Sequence, residues 1–298
     1  MKNHLLPLLI AGCLFLAAYH QPAKTQLSEE ETWRLGWRMI KSTIEANSDL
    51  AELQFDSLLA NSSGIDQKFL ITGLEVKNEL GKTDELIKLL KKQDTAVLKE
   101  ICIKQYLKKL SPCSGFSIEE VANKALQLEL IQMYVNDQAA RGNRMQHIIN
   151  QYKLDTTQIN KISLYEVDEI NRNQLKKIIE KYGFPTKALV GRDAMNGIFL
   201  IIQHADQDKE WQRSQLKNIE IAVKNLDIDA QSYAYLFDRI KVNNGEKQVY
   251  GTQFAKVDPV NKIVKLAPTE NIKDLDKRRM EIGMMPIAMY KGFMLQEL

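Results

Sequence analysis

Apolar residues recur at helical spacing through most of the chain, and this periodicity restricts the fold more than any other feature of the sequence. From residue 28 to residue 110 the apolar stripes are short and are separated by a few polar or glycine residues, a pattern typical of short antiparallel helices. Ser28 followed by Glu31 has the spacing of a capping box and predicts the start of the first helix, on which Trp33 and Trp37 stand one turn apart. We therefore expect a helical N-terminal region over residues 25–112.

Helical sequence continues in the second half of the chain. The segment Ser111–Gly115 combines serine, proline and glycine and predicts a domain boundary, after which a C-terminal domain would occupy residues 116–298. Ser117 and Glu120 form a second capping pair, which predicts a long helix that ends near Arg141. Further helices are expected over residues 168–182, 194–204, 209–225, 229–241 and 274–281.

Strand sequence is confined to one short part of the C-terminal domain. Gln248–Lys256 and Lys262–Leu266 flank a segment in which Asp258 and Pro259 occupy positions that a type I turn favours. Gly251, within the first of these strands, indicates a bulge or a close approach of the backbone. The predicted fold class is mostly α (α+β), with a helical N-terminal region and an α-rich C-terminal domain that contains one β-hairpin or small antiparallel sheet.

Composition and motif content exclude several classes of function. The 41 basic and 38 acidic residues leave a formal net charge of +3, which gives no reason to expect nucleic acid as a partner. The four histidines are too few for a multi-histidine metal site, and His204 with Asp206 would supply only two ligands. The sequence contains no glycine-rich phosphate loop, no His-Glu-x-x-His and no Gly-x-Ser-x-Gly motif, so we expect neither a metal nor a cofactor.

The first twenty residues have the composition of a secretory signal. Lys2 precedes a mostly apolar run from Leu5 to Tyr19, which is too short for a stable membrane span but typical of a signal core. Cleavage near Ala18 would release the chain, whereas the sequence that ends at Cys13 resembles the bacterial lipoprotein box and would place a lipid anchor there. A buried N-terminal helix is the structural alternative. We expect an exported protein of the periplasm or envelope, with any membrane attachment made through Cys13.

The two other cysteines allow two interpretations. Cys102 lies in an apolar helical stretch and Cys113 in the loop that follows, so a chain that turns back between them could join them in a disulfide. An oxidising compartment outside the cytoplasm permits that bond. The alternative is one buried thiol and one partly exposed thiol, and the sequence leaves both open.

Polar residues continue apolar stripes at several places in the C-terminal domain. On the long helix, for example, Leu130 and Tyr134 share a face with the polar residues that follow one or two turns later. A buried polar group without a partner costs about 1–3 kcal/mol, so such residues must have partners and can form a site. The candidate catalytic residues are His204, Asp206, Asp238 and Arg239. The candidate substrate-binding residues are Asp137, Gln138, Arg141, Gln203, Tyr250 and Gln253.

Short polar motifs in this half of the chain carry a resemblance to a known domain. The motifs are Asp137-Gln138-x-x-Arg141, Asp168-x-x-Asn171, Tyr182-Gly183-Phe184-Pro185, Gln203-His204-Ala205-Asp206, Tyr235-Leu236-x-Asp238-Arg239, Gln248-x-Tyr250-Gly251-Thr252-Gln253 and Arg278-Arg279. With them, residues 130–290 resemble an uncharacterised domain of exported bacterial proteins, many of which have a signal peptide or a lipoprotein signal. Phe184 stands where that domain has tryptophan. Because the domain has no assigned activity, the resemblance implies a domain and a site but no reaction.

His204 is central to a catalytic hypothesis, because histidine readily transfers protons near neutral pH. An aspartate would orient its ring, and the residues considered for this role are Asp137, Asp206 and Asp238. Arg141 and Arg239 would bind an anionic or carbonyl group of the substrate. Since no cofactor motif is present, this hypothesis predicts a hydrolase or lyase that acts on a small polar or cell-wall-derived substrate.

Two non-catalytic hypotheses compete with it. In one, the same polar residues form a buried network of hydrogen bonds and ion pairs that holds the domain together. In the other, the protein is an envelope interaction module whose C-terminal domain recognises a ligand without turnover. Its N-terminal helices would bind a protein partner in an exposed apolar groove lined by Trp33 or Trp37. Whether the protein is an enzyme is therefore left open by the sequence.

Overall fold

A computed structural model describes residues 26–102, 104, 106–116, 120–157 and 163–295. The predicted signal segment over residues 1–20, the lipid-anchor candidate Cys13 and the capping residue Ser117 lie outside the described residues. Within them the chain is mostly α-helical with one two-stranded antiparallel sheet, which confirms the predicted fold class. None of the described helices has the length and hydrophobicity that a bilayer span requires.

Short helices joined by tight turns make up the N-terminal region. Their bounds are α1 Glu29–Ile44, α2 Ser48–Asn61, α3 Gln67–Glu79, α4 Thr83–Leu90 and α5 Thr95–Ile101, followed by a 3-10 turn at Cys113–Gly115. The Ser28 side chain accepts a hydrogen bond from the Glu31 amide while the Glu31 carboxylate accepts one from the Ser28 amide, which confirms the predicted capping box. Trp37, Phe55 and Phe69 are buried in the core of this region.

The two N-terminal tryptophans belong to this core. Trp33 and Trp37 are each only 6% exposed. Trp33 Nε1 donates a hydrogen bond to the carbonyl oxygen of Met284 at 2.7 Å, and the Trp37 ring meets Phe69 edge to face. The expectation of an exposed groove lined by either tryptophan is therefore wrong, because packing within the N-terminal region and against the C-terminal segment covers both rings.

A disulfide joins Cys102 to Cys113, whose Cα atoms are 5.1 Å apart. Both cysteines are buried in the N-terminal core, where Leu107 between them is also fully buried. Of the two interpretations that the sequence allowed, the structure therefore has the bonded one.

The described residues after 120 form helices and one hairpin. The helix bounds are α6 Lys124–Ala140, α7 Gln146–Tyr152, α8 Leu164–Tyr182, α9 Lys187–Val190, α10 Arg192–Gln203, α11 Lys209–Ser214, α12 Leu216–Lys224, α13 Ala230–Asn243, α14 Leu275–Glu281 and α15 Ile287–Met294, with a 3-10 turn at Ile272–Asp274 before α14. Helix α6 begins later than predicted, because the Asn123 side chain accepts a hydrogen bond from the Leu126 amide and caps the helix there. The helix predicted over residues 209–225 is two helices, α11 and α12.

The hairpin is shorter than predicted. Strand β1, Phe254–Asp258, pairs antiparallel with strand β2, Ile263–Leu266. Residues 248–253 were expected to belong to the first strand, and this expectation is wrong, because their amides wrap around the buried carboxylate of Asp238. Gly251 in this segment has a φ of +68°, and a Cβ there would lie 3.1 Å from a methyl carbon of Leu275. The close backbone approach predicted at this glycine is therefore confirmed.

Helices α6, α8 and α10 pack together at the centre of the C-terminal core. Helices α6 and α10 approach closely because residue 197 is glycine, and a Cβ at that position would lie 2.7 Å from the Tyr134 Cβ. Asn171 of α8 donates a hydrogen bond to the Met133 carbonyl of α6 at 3.2 Å. These contacts place the C-terminal ends of α6 and α10 beside the first half of α8.

Candidate functional site

His204 and Asp137 meet where α10 and α6 end. His204 is the C-terminal cap residue of α10, and its Nδ1 lies 2.9 Å from Oδ1 of Asp137. The Asp137 side chain is 1% exposed and the His204 side chain 12%, so the carboxylate is sealed while the ring retains a small accessible surface. An ionised carboxylate only accepts hydrogen bonds, so Nδ1 of His204 donates to Asp137.

Arg141 connects Asp137 to a second carboxylate on α8. Its Nη1 donates to Oδ1 of Asp137 at 2.9 Å, and its Nη2 donates to the two Asp168 oxygens at 2.8 and 3.0 Å. Gln138 Nε2 donates to the other Asp137 oxygen at 2.8 Å. The site is thus a network of one histidine, two aspartates and one arginine held by three helices.

A second polar group forms just beyond His204. Asp206 accepts hydrogen bonds from Arg239 Nε at 2.9 Å and from Asn243 Nδ2 at 2.9 Å. Gln212 Nε2 donates to Oδ1 of Asp206 at 3.2 Å and to the Gln203 carbonyl at 3.0 Å. Burial acts to raise the pKa of Asp206, but the hydrogen bonds and the charge of Arg239 outweigh this effect and hold that pKa below its ordinary value.

Asp238 forms a third group with the loop over residues 248–253. Its carboxylate is fully buried and accepts hydrogen bonds from the backbone amides of Val249, Tyr250 and Thr252 at 2.7 to 3.1 Å. Gln253 lies at the end of the same loop, where its amide donates to Oε1 of Gln248 at 2.8 Å. Asp238 therefore shapes this loop, and its partners are amides of the loop and the Thr252 hydroxyl.

The ten predicted site residues fall into three hydrogen-bonded groups. Asp137, Gln138, Arg141 and His204 form the first; Gln203, Asp206 and Arg239 form the second; Asp238, Tyr250 and Gln253 lie together in the third. Of the three aspartates considered as partners of His204, Asp137 is the one to which its ring is hydrogen-bonded.

Two residues of α8 were missed as candidates by sequence reasoning. Asp168 was noticed only as part of a motif, and no feature of the sequence indicates that it meets Arg141, 27 positions away. Arg172 lies one turn later on α8 and is 9% exposed. The helical spacing of Asp168 and Arg172 was the available signal, since residues four apart share one face.

Three potential metal ligands meet at His204. One ligand atom from each of Asp137, Asp168 and His204 lies within 4.8 Å of the others. However, Arg141 donates to both carboxylates, so a guanidinium already neutralises the charge that a divalent cation would need. The arrangement therefore fits an ion-pair network, and we assign no metal to it.

A surface cavity of about 490 Å³ lies between the end of α6 and α7. Its lining includes Ala139, Arg144 and Ile149, and none of the predicted site residues takes part in it. Asp137 and His204 do not line the cavity, but Asn143 of its wall donates a hydrogen bond of 2.9 Å to Gln138, a member of the same group.

Comparison with known proteins finds a family match over more than half of the chain. Residues 124–297 match the family of unknown function DUF6624. No curated protein and no solved structure matches the chain. The match begins at the first residue of α6 and includes every residue of the His204 network. The chain belongs to the DUF6624 family of unknown function.

Proposed function

We propose that this protein is an exported envelope enzyme, a cofactor-independent hydrolase or lyase that uses His204 as general acid or base on a small polar substrate. The observation that carries the proposal is the hydrogen bond of 2.9 Å between His204 Nδ1 and the buried carboxylate of Asp137. A histidine whose Nδ1 is held by a buried aspartate is a recurring arrangement in acid–base catalysis.

The hydrogen bond to Asp137 determines which nitrogen of His204 can react. Because Nδ1 donates to the carboxylate, the neutral ring has its lone pair on Nε2. Nε2 can then take a proton from water or from the substrate, and Asp137 stabilises the imidazolium that forms. Arg141 keeps the carboxylate in place, since it binds Asp137 and Asp168 together.

Two observations support the proposed export. The first twenty residues have the composition of a secretory signal. In addition, Cys102 and Cys113 form a disulfide, and structural disulfides are common outside the cytoplasm and rare within it. An exported enzyme of this kind would meet substrates derived from the cell envelope.

A non-catalytic envelope module is the second candidate function. Asp238 favours it, because its buried carboxylate is committed to the amides of residues 248–253 and so has a structural role. The Asp206–Arg239 pair favours it for the same reason, because the Asp206 carboxylate also accepts hydrogen bonds from Gln212 and Asn243. In this alternative the His204 network would likewise serve only to hold helices together.

A screen with the purified protein tests the two candidates. Envelope-derived peptides, amino sugars and their conjugates would be examined by thermal shift, and each stabilising compound would then be followed by mass spectrometry for conversion. We expect His204→Gln to reduce conversion by about 10²–10⁴-fold, the usual contribution of a general acid or base. His147→Gln is the matched control because His147 is exposed and takes part in none of the hydrogen bonds of the His204 network.

The non-catalytic candidate predicts a different result. Conversion at the wild-type rate by a folded His204→Gln variant, or an absence of any converted compound, would contradict the enzymatic proposal. Cell fractionation tests export separately, and Cys13→Ala distinguishes a lipid-anchored protein from a soluble exported one. Recovery of the full-length chain in the cytoplasmic fraction would contradict export.

A further inference from the structure

Arg172 is a buried cation whose hydrogen bonds are incomplete. The residue is 9% exposed, and among the described residues none accepts a hydrogen bond from its Nε. Its Nη1 reaches Oε1 of Gln207 only at 3.5 Å. A guanidinium has five N–H donors and is costly to bury without acceptors, so the contacts of Arg172 leave its Nε unsatisfied.

Asp208 forms only a long ion pair with Arg172. Oδ2 of Asp208 lies 3.9 Å from Arg172 Nε, beyond hydrogen-bond distance. The same oxygen accepts from Lys176 Nζ at 2.5 Å, and this hydrogen bond, together with the charges of Lys176 and Arg172, helps to hold the pKa of Asp208 below its ordinary value. Asp208 is therefore shared between Lys176 and Arg172, and its long contact with Arg172 leaves the Nε of that guanidinium without a hydrogen-bond acceptor among the described residues.

Arg172 lies close to the proposed catalytic histidine along helix α8. Along one face of α8, Asp168, Arg172 and Lys176 follow each other at intervals of four residues. Asp168 lies beside His204, Arg172 contacts Gln207, and Lys176 pairs with Asp208. The turn over residues 204–208 thus runs along α8, and Arg172 stands about one helical turn, roughly 5–6 Å, beyond the group that adjoins His204.

We propose that Arg172 binds an anionic group of the substrate, a carboxylate or a phosphate, next to His204. This inference rests on the proposed function, and it deepens that proposal by naming the substrate class. Planar guanidinium groups bind both oxyanions through paired hydrogen bonds. A substrate held there would carry its anionic group a few bonds from the atom at which His204 transfers a proton. The expected substrates are therefore small anionic molecules.

Binding of simple oxyanions to the purified full chain tests this subsite without any need for turnover. Inorganic phosphate and succinate would be titrated by thermal shift and calorimetry into the wild-type protein, and the two probes distinguish a phosphate site from a carboxylate site. We expect one of them to bind and Arg172→Gln to weaken that binding about tenfold or more, the loss expected for a charge-assisted hydrogen bond. Arg172→Lys, which keeps the charge in the same space, should bind with intermediate affinity.

Arg213→Gln is the matched control, since Arg213 is an exposed arginine of the neighbouring helix α11. Circular dichroism of each variant establishes that it is folded. Equal binding by wild type and folded Arg172→Gln, or no binding of either probe to the wild type, would overturn the subsite. His204→Gln separates the two proposals: anion binding that is retained while conversion is lost supports both, whereas unchanged conversion refutes only the catalytic role of His204.

Discussion

At the level of single residues, Lys77 shows how the N-terminal region accommodates a buried charge. Its side chain is 1% exposed, and Nζ lies 2.7, 2.9 and 2.7 Å from carboxylate oxygens of Glu52, Asp56 and Glu85. Burial acts to lower the pKa of Lys77, but these carboxylates outweigh that effect and raise it above its ordinary value. Helices α2, α3 and α4 are thus joined through one ammonium group.

Replacing Lys77 should therefore destabilise the protein strongly. We expect Lys77→Met to lower the free energy of unfolding by about 3 kcal/mol, because it leaves the partly buried Glu52 without its main partner. Lys82→Met is the control: Lys82 also pairs with Glu52 but is 38% exposed, so about 1 kcal/mol or less should be lost. Urea unfolding at neutral pH measures both, and equal losses would show that the burial of Lys77 has no special effect.

The ion pair of Asp206 with Arg239 should make the stability of the protein depend on pH. Its native pKa is lower than in the unfolded chain, so its pairing with Arg239 stabilises the fold above the unfolded value of about 3.9. That contribution is lost as the pH falls from there through the lower native pKa. Asp206→Asn should consequently lose less stability between neutral and acidic pH than the wild type does, as measured by urea unfolding. The exposed Asp229→Asn serves as control and should follow the wild-type pH dependence.

At the level of elements, the close contact of α6 and α10 positions the candidate site. Gly197 of α10 lies against Tyr134 and the Leu130 carbonyl of α6, and seven residues later His204 meets Asp137. The two helices therefore run in the same direction and stay together for two turns. Any change that separates them at Gly197 should also move His204 away from Asp137.

Gly197→Ala tests this arrangement. The added Cβ would lie 2.7 Å from the Tyr134 Cβ, so we expect a loss of about 1–3 kcal/mol in stability from overpacking. Any conversion that depends on His204 should fall as well. Gly292→Ala in α15 is the matched control, since no non-neighbouring atom of the described residues lies within 4 Å of its Cβ position and alanine favours a helix by up to about 1 kcal/mol. Unchanged stability and activity in Gly197→Ala would contradict a positioning role for this contact.

At the level of the whole molecule, the C-terminal segment connects two hydrophobic cores. One core is built from residues between 33 and 113, the other from residues between 126 and 240. Met280, Met285 and Met289, which follow the second core in the chain, pack against the first. The ion pair of Arg34 with Asp276 at 3.0 Å joins the same two parts of the molecule.

This arrangement predicts that the two cores unfold together. The chain has three tryptophans: Trp33 and Trp37 report on the first core, and Trp211 packs against the second. Fluorescence of variants that retain Trp211 alone or Trp37 alone, each with the other tryptophans changed to phenylalanine, should give coincident urea transitions. Two separated transitions would show that the C-terminal segment does not couple the cores.

The sequence was sufficient for features that depend on neighbouring residues. Helical periodicity, the capping box at Ser28 and the β2 strand over Ile263–Leu266 follow from local spacing, because a helix face or a strand face is set within a few residues. The close approach at Gly251 was likewise visible in the sequence. The irregular path of residues 248–253 was not, because the carboxylate of Asp238 reaches those amides from ten or more positions away.

The candidate site likewise depends partly on local sequence and partly on contacts between distant residues. The sequence identified Asp137, Arg141 and His204 as polar residues that continue apolar faces, which is a local property. Their partners are distant: Asp137 and His204 are 67 positions apart, and Arg141 and Asp168 are 27 apart. Helix packing alone decides which of several aspartates meets the histidine, since hydrogen bonds require distances that local periodicity does not specify. The sequence pattern therefore indicated which polar residues need hydrogen-bond partners. The tertiary structure decided which residues those partners are.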